Sequence, residues 1–217
     1  MSIVITGGTG FIGLQLARIL IEKGEEPVLF HFNPQKEELV KDIKDRVKMV
    51  RGDLANFSHV LNLVCDSKAD TIYHLGGMLS VPSENDPWKS FRTNAEGTFH
   101  ILEAARLFGV NKVIFSSTVE TYGADIRSDI IDDQTIQRPL LMYGCTKLFA
   151  ELLGRFYARK FGLDFRAVRF PSIVGPGVRT PGIVQYNAWA IEEAFYGRPF
   201  EIWVSPDDAR PVMYYKD

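Results

Sequence analysis

The sequence is poor in cysteine and has no long apolar run. Its 217 residues contain two cysteines, Cys65 and Cys145, without the spacing of metal ligands. Isolated cysteines are typical of proteins in a reducing compartment, and we expect no metal site. No apolar run is long enough to cross a bilayer, and no secretory leader precedes the first predicted strand. These absences predict a cytoplasmic protein that does not engage a membrane.

The chain also lacks an excess of charge of either sign. Its 25 lysines and arginines nearly balance its 27 aspartates and glutamates, and the charges are interspersed. A nucleic-acid surface needs a basic excess, so we expect no nucleic-acid partner. The 46% hydrophobic content allows one large domain, or one domain plus part of another.

Strand-like and helix-like patterns alternate along the chain. Apolar runs predict strands, and apolar residues at helical spacing predict helices between them. Such alternation is typical of an α/β protein with a Rossmann-type, doubly wound parallel sheet. The strands are predicted at 3–5, 26–32, 46–53, 70–77, 111–118 and 163–170, and the helices at 12–23, 34–43, 58–67, 86–109 and 139–162.

A glycine-rich turn, TGGTGFIG, joins the first strand to the first helix. A helix N-terminus presents unpaired N–H groups and a partial positive charge, so it binds a diphosphate if no Cβ blocks the approach. Gly7, Gly10 and Gly13 lack a Cβ, although their spacing differs from the usual G-x-G-x-x-G. The turn therefore predicts a dinucleotide-binding site.

Short polar or glycine-containing segments follow the later strands. Ligands of doubly wound sheets bind beyond the carboxyl ends of the strands, so these segments are expected to surround one cavity. The residues at these ends are Asp53, Gly76, Gly77, Ser116, Ser117, Thr118, Pro171 and Ser172.

A tyrosine and a lysine lie four residues apart in the segment YGCTK, on one face of a predicted helix. A nearby ammonium group favours the phenolate, so Lys147 is expected to lower the pKa of Tyr143 from its ordinary value of ~10. Thr118, at the end of the fifth strand, can donate to the same substrate oxygen. Together they supply an acid/base, an electrostatic helper and a positioning hydroxyl for hydride transfer at a secondary alcohol.

The motifs TGGTGFIG, GDL, HLGG, SSTVETYG and YGCTK, in this order, resemble the extended short-chain dehydrogenase/reductase family, the NAD-dependent epimerase/dehydratase group. The resemblance covers essentially the whole chain. It implies NAD as cofactor, with NADP also open, and Thr118, Tyr143 and Lys147 as catalytic residues. The cofactor-contacting positions it implies are Gly7, Gly10, Phe11, Ile12, Gly13, His31, Asp53, Leu54, Leu75, Gly76, Gly77, Asn94, Ser116, Tyr143, Lys147, Pro171 and Ile173.

Two positions depart from the family pattern. NAD-dependent members usually carry a carboxylate at the end of the second strand, where this chain has His31. A histidine there implies a weaker preference for NAD over a cofactor with a 2′-phosphate. Members that act on nucleotide sugars usually carry Asn after the sixth strand, where this chain has Pro171 and Ser172.

Other stretches resemble the L-threonine 3-dehydrogenase branch of the family, among them GGMLSVPSENDP and RPVMYYKD. The resemblance implies substrate contacts at Ser80, Thr118, Tyr143, Ser172 and Tyr186. The threonine-contacting T-T-D-Y of that branch reads I-V-Q-Y at 183–186, which leaves the amino-acid substrate open.

Three functions remain open from the sequence. They are a dehydrogenase of a small polar alcohol, a nucleotide-sugar epimerase or dehydratase with tightly bound NAD, and a Rossmann redox sensor without catalysis. We expect a cofactor domain at 1–175 and part of a substrate lobe at 176–217, with a strand at 200–204 and the lead-in to a helix at 209–217. The apolar surface of this lobe predicts a fragment of a longer chain. A homodimer is expected through the helices at 86–109 and 139–162.

Overall fold

A parallel sheet forms the centre of the molecule. The computed structural model describes residues 2–33, 38–126, 130–178 and 182–217, and these form a six-stranded sheet. The strands are β1 (Ile3–Thr6), β2 (Val28–His31), β3 (Lys48–Arg51), β4 (Thr71–His74), β5 (Lys112–Thr118) and β6 (Asp164–Phe170). Their order is β3-β2-β1-β4-β5-β6, and every pairing is parallel. This is the doubly wound Rossmann topology that the sequence predicts.

The helices lie close to their predicted positions and have clear end signals. Gly109 and Gly162 end the two longest predicted helices in the left-handed conformation, with φ of 68° and 74°, which glycine adopts without strain. Asn56 caps another helix by accepting from the His59 N–H at 3.3 Å. The helices are α1 (Phe11–Glu22), α2 (Phe57–Ser67), α3 (Ser80–Asn85), α4 (Pro87–Ser90), α5 (Gly97–Phe108), α6 (Met142–Phe161) and α7 (Tyr186–Phe195).

Apolar residues cover both faces of the sheet, as they do when helices flank a parallel sheet on each side. On one face Val4 and Ile72 pack with side chains of α2 and α5, and on the other Ile5 and Leu29 pack against α1. Neighbours in a strand point to opposite faces, so β1 contributes to both clusters. The sheet is thereby held with its carboxyl edge free for a ligand.

The helix predicted over 86–109 consists of three consecutive helical segments that differ in their backbone hydrogen-bond spacing. Between α4 and α5, residues Phe91–Glu96 form a π turn. The Gly97 N–H donates to the Arg92 carbonyl, five residues back. Such turns occur often at functional sites, because they reorient side chains within a helix. Here the π turn contains Asn94.

Two predicted elements are wrong, and a third segment contains a strand that the sequence does not predict. The helix at 34–43 falls partly on 34–37, outside the described residues, and 38–43 form 3₁₀-type turns with bonds to the third residue back. Residues 200–204 form no strand. The expected helix lead-in instead contains β8 (Val212–Tyr214), which pairs with β7 (Ser172–Val174). For β8 a distant contact with β7 outweighs the local pattern.

Neither a membrane span nor a metal cluster is found in the part of the chain that the structure describes. Its helices are not long and apolar enough to cross a membrane. Within the same ranges, no three His, Cys, Asp or Glu side chains are placed to share an ion.

Candidate active site

A cavity of about 830 Å³ lies at the carboxyl edge of the sheet. It is lined from the ends of β1 to β6, as the positions of the polar segments predict. Almost all residues singled out from the sequence share this cavity: Gly7, Gly10, Phe11, Ile12, Gly13, His31, Asp53, Leu54, Leu75, Gly76, Gly77, Ser80, Ser116, Thr118, Tyr143, Lys147, Pro171, Ser172 and Ile173.

The glycine turn brings two backbone segments very close. Gly7 has φ of 67°, and a Cβ there would lie 2.8 Å from the Gly76 Cα. A Cβ on Gly13 would lie 2.4 Å from the Gly7 carbonyl oxygen. Gly10 is the N-cap residue of α1, and no side chain caps this end of the helix. The first N–H groups of α1 therefore meet the cavity without a competing protein anion, which suits a diphosphate.

Three candidate catalytic side chains meet where the carboxyl end of β5 lies near the first turns of α6. The Lys147 Nζ donates to the Ser116 carbonyl at 2.7 Å and lies 5.7 Å from the centre of the Tyr143 ring. The Tyr143 hydroxyl interacts with the hydroxyl of Thr118, which ends β5. A Cβ on Gly144 would lie 2.2 Å from the Glu120 carbonyl oxygen, so glycine is required for α6 to approach the chain after β5 this closely.

Burial controls the ionisation of this group. It raises the pKa of Tyr143 to about 12, although the hydrogen bond from Thr118 opposes the rise and Glu120 adds to it. Burial lowers the pKa of Lys147 to about 7. The expectation that Lys147 lowers the pKa of Tyr143 is thus wrong for the protein alone, because desolvation of the phenolate is the larger effect. In this state Tyr143 is protonated at neutral pH.

Two predicted residues lie off the cavity wall. Asn94 is buried behind it, where its amide accepts from the Met78 N–H at 2.7 Å and donates to the Met78 carbonyl at 3.0 Å. Asn94 therefore positions Met78, which lines the cavity, without lining the cavity itself. Tyr186 is buried against Trp203, with 5.9 Å between the ring centres, because it is the first residue of α7 and faces the 200–204 segment. Its neighbour Gln185 lines the cavity instead.

A partly buried ion pair behind the catalytic group has no signal in the sequence. The Arg169 guanidinium donates to both carboxylate oxygens of Glu151, with the shortest distance 2.7 Å. Glu151 also accepts from the Ser117 hydroxyl, next to Thr118. Burial opposes ionisation of Glu151, but the bonds from Arg169 and Ser117 together hold its pKa below the usual value. Spacing along α6 places Glu151 one turn beyond Lys147, which could have suggested a shared face but not its partner.

Residues 3–217 match the sequence profile of the NAD dependent epimerase/dehydratase family. The chain belongs to this family. Its fold and its expected NAD dependence agree with the family assignment, as the sequence motifs predict. The resemblance stated from the motifs is thereby confirmed.

Relatives of this epimerase/dehydratase include both dehydrogenases and epimerases. D-erythronate dehydrogenase of Cupriavidus necator is 32% identical over 216 residues, covering 95% of this chain and 66% of the relative. Mitochondrial L-threonine 3-dehydrogenase of Bos taurus is 27% identical, covering 99% and 57%. The structure of Thermus thermophilus UDP-glucose 4-epimerase in complex with NAD is 25% identical with a TM-score of 0.87, covering 99% and 71%. The chain thus spans about two thirds or less of the length of these two curated relatives.

Proposed function

We propose that the protein is an NAD-dependent dehydrogenase that oxidises a secondary alcohol of a small polar substrate. The observation that carries the proposal is the convergence of Thr118, Tyr143 and Lys147 on the cavity that also receives the uncapped start of α1. A binding protein without catalysis would have no use for a buried acid/base group beside a lysine. The fold alone would not support this proposal, because Rossmann folds serve many functions.

The residues of the cavity fit a dinucleotide. The start of α1 and the turn at Gly7, Gly10 and Gly13 would hold the diphosphate, and Asp53 with Leu54 would border the adenosine half. Bound NAD would supply the hydride acceptor at the nicotinamide end, near Lys147. We assign the cofactor half to residues 1–175 and the substrate half to 176–217.

The chain's own groups handle the proton and the orientation of the substrate. The Tyr143 Oη accepts the proton of the substrate hydroxyl as the carbinol carbon loses its hydride. The Thr118 hydroxyl, already bonded to Tyr143, holds the reacting oxygen. Lys147, when charged, stabilises the phenolate that Tyr143 must become before it accepts a proton. The high pKa of Tyr143 favours faster oxidation as pH rises, whereas Lys147, with a pKa of about 7, loses its charge over the same rise, so the two groups have opposite effects on the pH dependence.

The substrate side of the cavity favours a hydroxy acid. Arg210 lines the wall, is exposed, and forms no ion pair with the described residues. A guanidinium is well suited to a carboxylate. Gln185 stands where the threonine branch has an aspartate, so this position offers no negative charge to an ammonium group. D-erythronate and L-threonine both carry a carboxylate, but only L-threonine carries an ammonium group. The lack of a negative charge at Gln185 therefore favours a hydroxy acid such as D-erythronate.

Net formation of NADH by the purified protein tests this proposal. The assay uses NAD with D-erythronate, L-threonine and UDP-glucose in separate reactions, and it also measures NAD binding by calorimetry. Net NADH with a hydroxy acid supports the dehydrogenase. Isomerised nucleotide sugar without net NADH identifies an epimerase instead. NAD binding with no turnover of a broad set of hydroxy acids, amino acids and nucleotide sugars contradicts the catalytic proposal.

Replacing His31 by aspartate should shift cofactor preference toward NAD. His31 ends β2 and lines the cavity, where a carboxylate could accept from a ribose hydroxyl and would repel a 2′-phosphate. We expect the ratio of NAD to NADP affinity to rise by about tenfold in H31D. Calorimetry with both cofactors measures the ratio, and H31N controls for loss of the imidazole. An unchanged ratio in H31D would place the adenosine ribose elsewhere.

We propose a homodimer through α5 and α6. Large apolar side chains are exposed along both helices: Phe99, Leu107, Phe108, Phe149, Leu152, Phe156 and Phe161. A patch of this kind on neighbouring helices is typical of a protein interface. We also propose a cytoplasmic location, which cell fractionation of the native protein would test.

Introducing a charge into this patch should dissociate the dimer. Leu152 is 55% exposed, so L152E should be tolerated in the monomer but bury an unpaired carboxylate in the interface. Sedimentation is expected to give a dimer for the wild type and a monomer for L152E. E38K, outside both helices, serves as the surface-charge control. A wild-type monomer, or an L152E dimer of unchanged affinity, would rule out this interface.

A further inference from the structure

Four hydrogen bonds form a continuous chain through His74, the last residue of β4. The Gly76 N–H donates to the Thr6 Oγ1 at 3.1 Å, and this oxygen lies 2.7 Å from the His74 Nδ1. On the other side of the ring, the His74 Nε2 lies 3.0 Å from the Thr98 Oγ1, which donates to the Asn94 carbonyl. His74, Thr6 and Thr98 are all buried.

The two ends of this chain determine where each proton lies. A carbonyl can only accept, so the Thr98 hydroxyl proton points to Asn94, and Thr98 must accept from His74. The Nε2 therefore carries a proton. At the other end the Gly76 N–H can only donate, which leaves the Thr6 hydroxyl proton available for the Nδ1. The geometry specifies a proton at Nε2 and allows Nδ1 to accept from Thr6, which is the arrangement of a neutral imidazole.

The surroundings of the ring favour this neutral form. Burial, together with the smaller effect of the positive charge of Lys147 on α6, lowers the pKa of His74 to about 3. The ring of Phe115 on β5 lies against the imidazole, with 5.6 Å between the ring centres. A neutral ring can keep one donor and one acceptor fixed across the physiological pH range.

The two ends of the chain belong to the two halves of the cavity. Gly76 packs against Gly7 in the glycine turn. Asn94 holds Met78 through its side chain, and a Cβ on Gly77 would lie 3.0 Å from the Asn94 Oδ1 and 3.6 Å from the Lys147 Nζ. The hydrogen bonds therefore connect the turn suited to a diphosphate with the wall that carries Lys147.

We propose that His74 is a positioning residue that fixes the Gly76–Gly77 turn relative to Asn94 through a single neutral tautomer. It thereby couples the place of the cofactor diphosphate to the place of Lys147. This goes beyond the proposed function, since it depends on cofactor binding in the cavity and on no particular substrate. Sequence spacing gives no hint of the role, because the partners of His74 lie 68 and 24 residues away.

Imidazole ¹⁵N spectra of the wild-type protein test the tautomer directly. We expect His74 to show one neutral form, protonated at Nε2, from pH 5 to pH 8, both with and without NAD. This measurement needs no variant and no turnover, so it stands even if the proposed dehydrogenase activity fails. A charged ring, the other tautomer, or a mixture of the two would overturn the proposal.

Substitution of Thr98 tests the coupling. T98V preserves the shape of the side chain but leaves the His74 Nε2–H without its acceptor, so NAD affinity is expected to fall by about tenfold and the single tautomer to be lost. T98S restores the hydroxyl and should rescue both. S67A removes a hydroxyl bond to the Leu63 carbonyl on α2, outside the cavity, and should change neither. NAD affinity in T98V equal to that of the wild type would overturn the proposal. If T98V fails to fold, the wild-type spectra decide it.

Discussion

The Y143F variant is expected to lose about 10²–10⁴-fold in turnover, which is the usual contribution of a positioned general acid or base. Phenylalanine keeps the ring that packs beside Lys147 and removes only the hydroxyl that bonds to Thr118. The fold and most of the NAD affinity should therefore remain. Steady-state rates with the best substrate of the screen, together with calorimetry of NAD binding, measure both effects.

Y157F provides the matched control for this substitution. Tyr157 lies on the same helix, is buried, and donates to Glu103 at 2.8 Å away from the cavity. Its loss should alter stability but leave turnover within about threefold of the wild type, because it touches no reacting group. If Y143F itself stayed within that range, Tyr143 would have no part in the proton transfer.

Replacing Gly13 by alanine should weaken NAD binding by more than about tenfold, since the diphosphate depends on close approach to the start of α1. The added Cβ would lie 2.4 Å from the Gly7 carbonyl oxygen, so the backbone of the turn must move. At Gly10 the nearest atom, the same oxygen, would be 3.0 Å away, and G10A should have a smaller effect.

Calorimetry of the two alanine variants and far-UV circular dichroism separate local from global change. We expect near-native helix content in both and a graded loss of affinity, larger for G13A. A branched side chain at the same turn, as in G10V, should approach the effect of G13A by filling the space before the diphosphate. Equal NAD affinity in G13A and the wild type would mean that the turn has only a structural role.

The sheet was predictable because its signals are local. The β-branched run of β1, the glycine turn after it and the glycines that end α5 and α6 each specify a conformation within a few neighbouring residues. Right-handed crossovers between such strands then favour a doubly wound parallel sheet. The same reasoning placed Thr118 at the cavity, since parallel strands bring their carboxyl ends together, and the spacing within YGCTK added Tyr143 and Lys147.

The rest of the site depends on contacts that no local pattern encodes. Glu151 and Arg169 meet because α6 packs across β6, and neither sequence neighbourhood reveals the other. The strand expected at 200–204 has an apolar pattern but no partner, whereas β8 forms where the shorter segment meets β7. The raised pKa of Tyr143 likewise results from burial, and the YGCTK motif does not indicate how deeply its tyrosine is buried.

The π turn at Phe91–Glu96 has a consequence for insertions and deletions. A five-residue hydrogen-bond step holds one residue more than the regular helical step, so deleting one residue there would restore an ordinary helix. A deletion within the regular turns of α5 would instead rotate everything on one side of it by about 100° relative to the other, because each residue advances an α-helix by that angle. Asn94 could no longer face Met78 while α5 kept its buried side toward the sheet. The rotation of this helix about its axis is therefore fixed by two surfaces at once, the segment at Met78 and the sheet, and a single-residue deletion in α5 would break its contact with one of them.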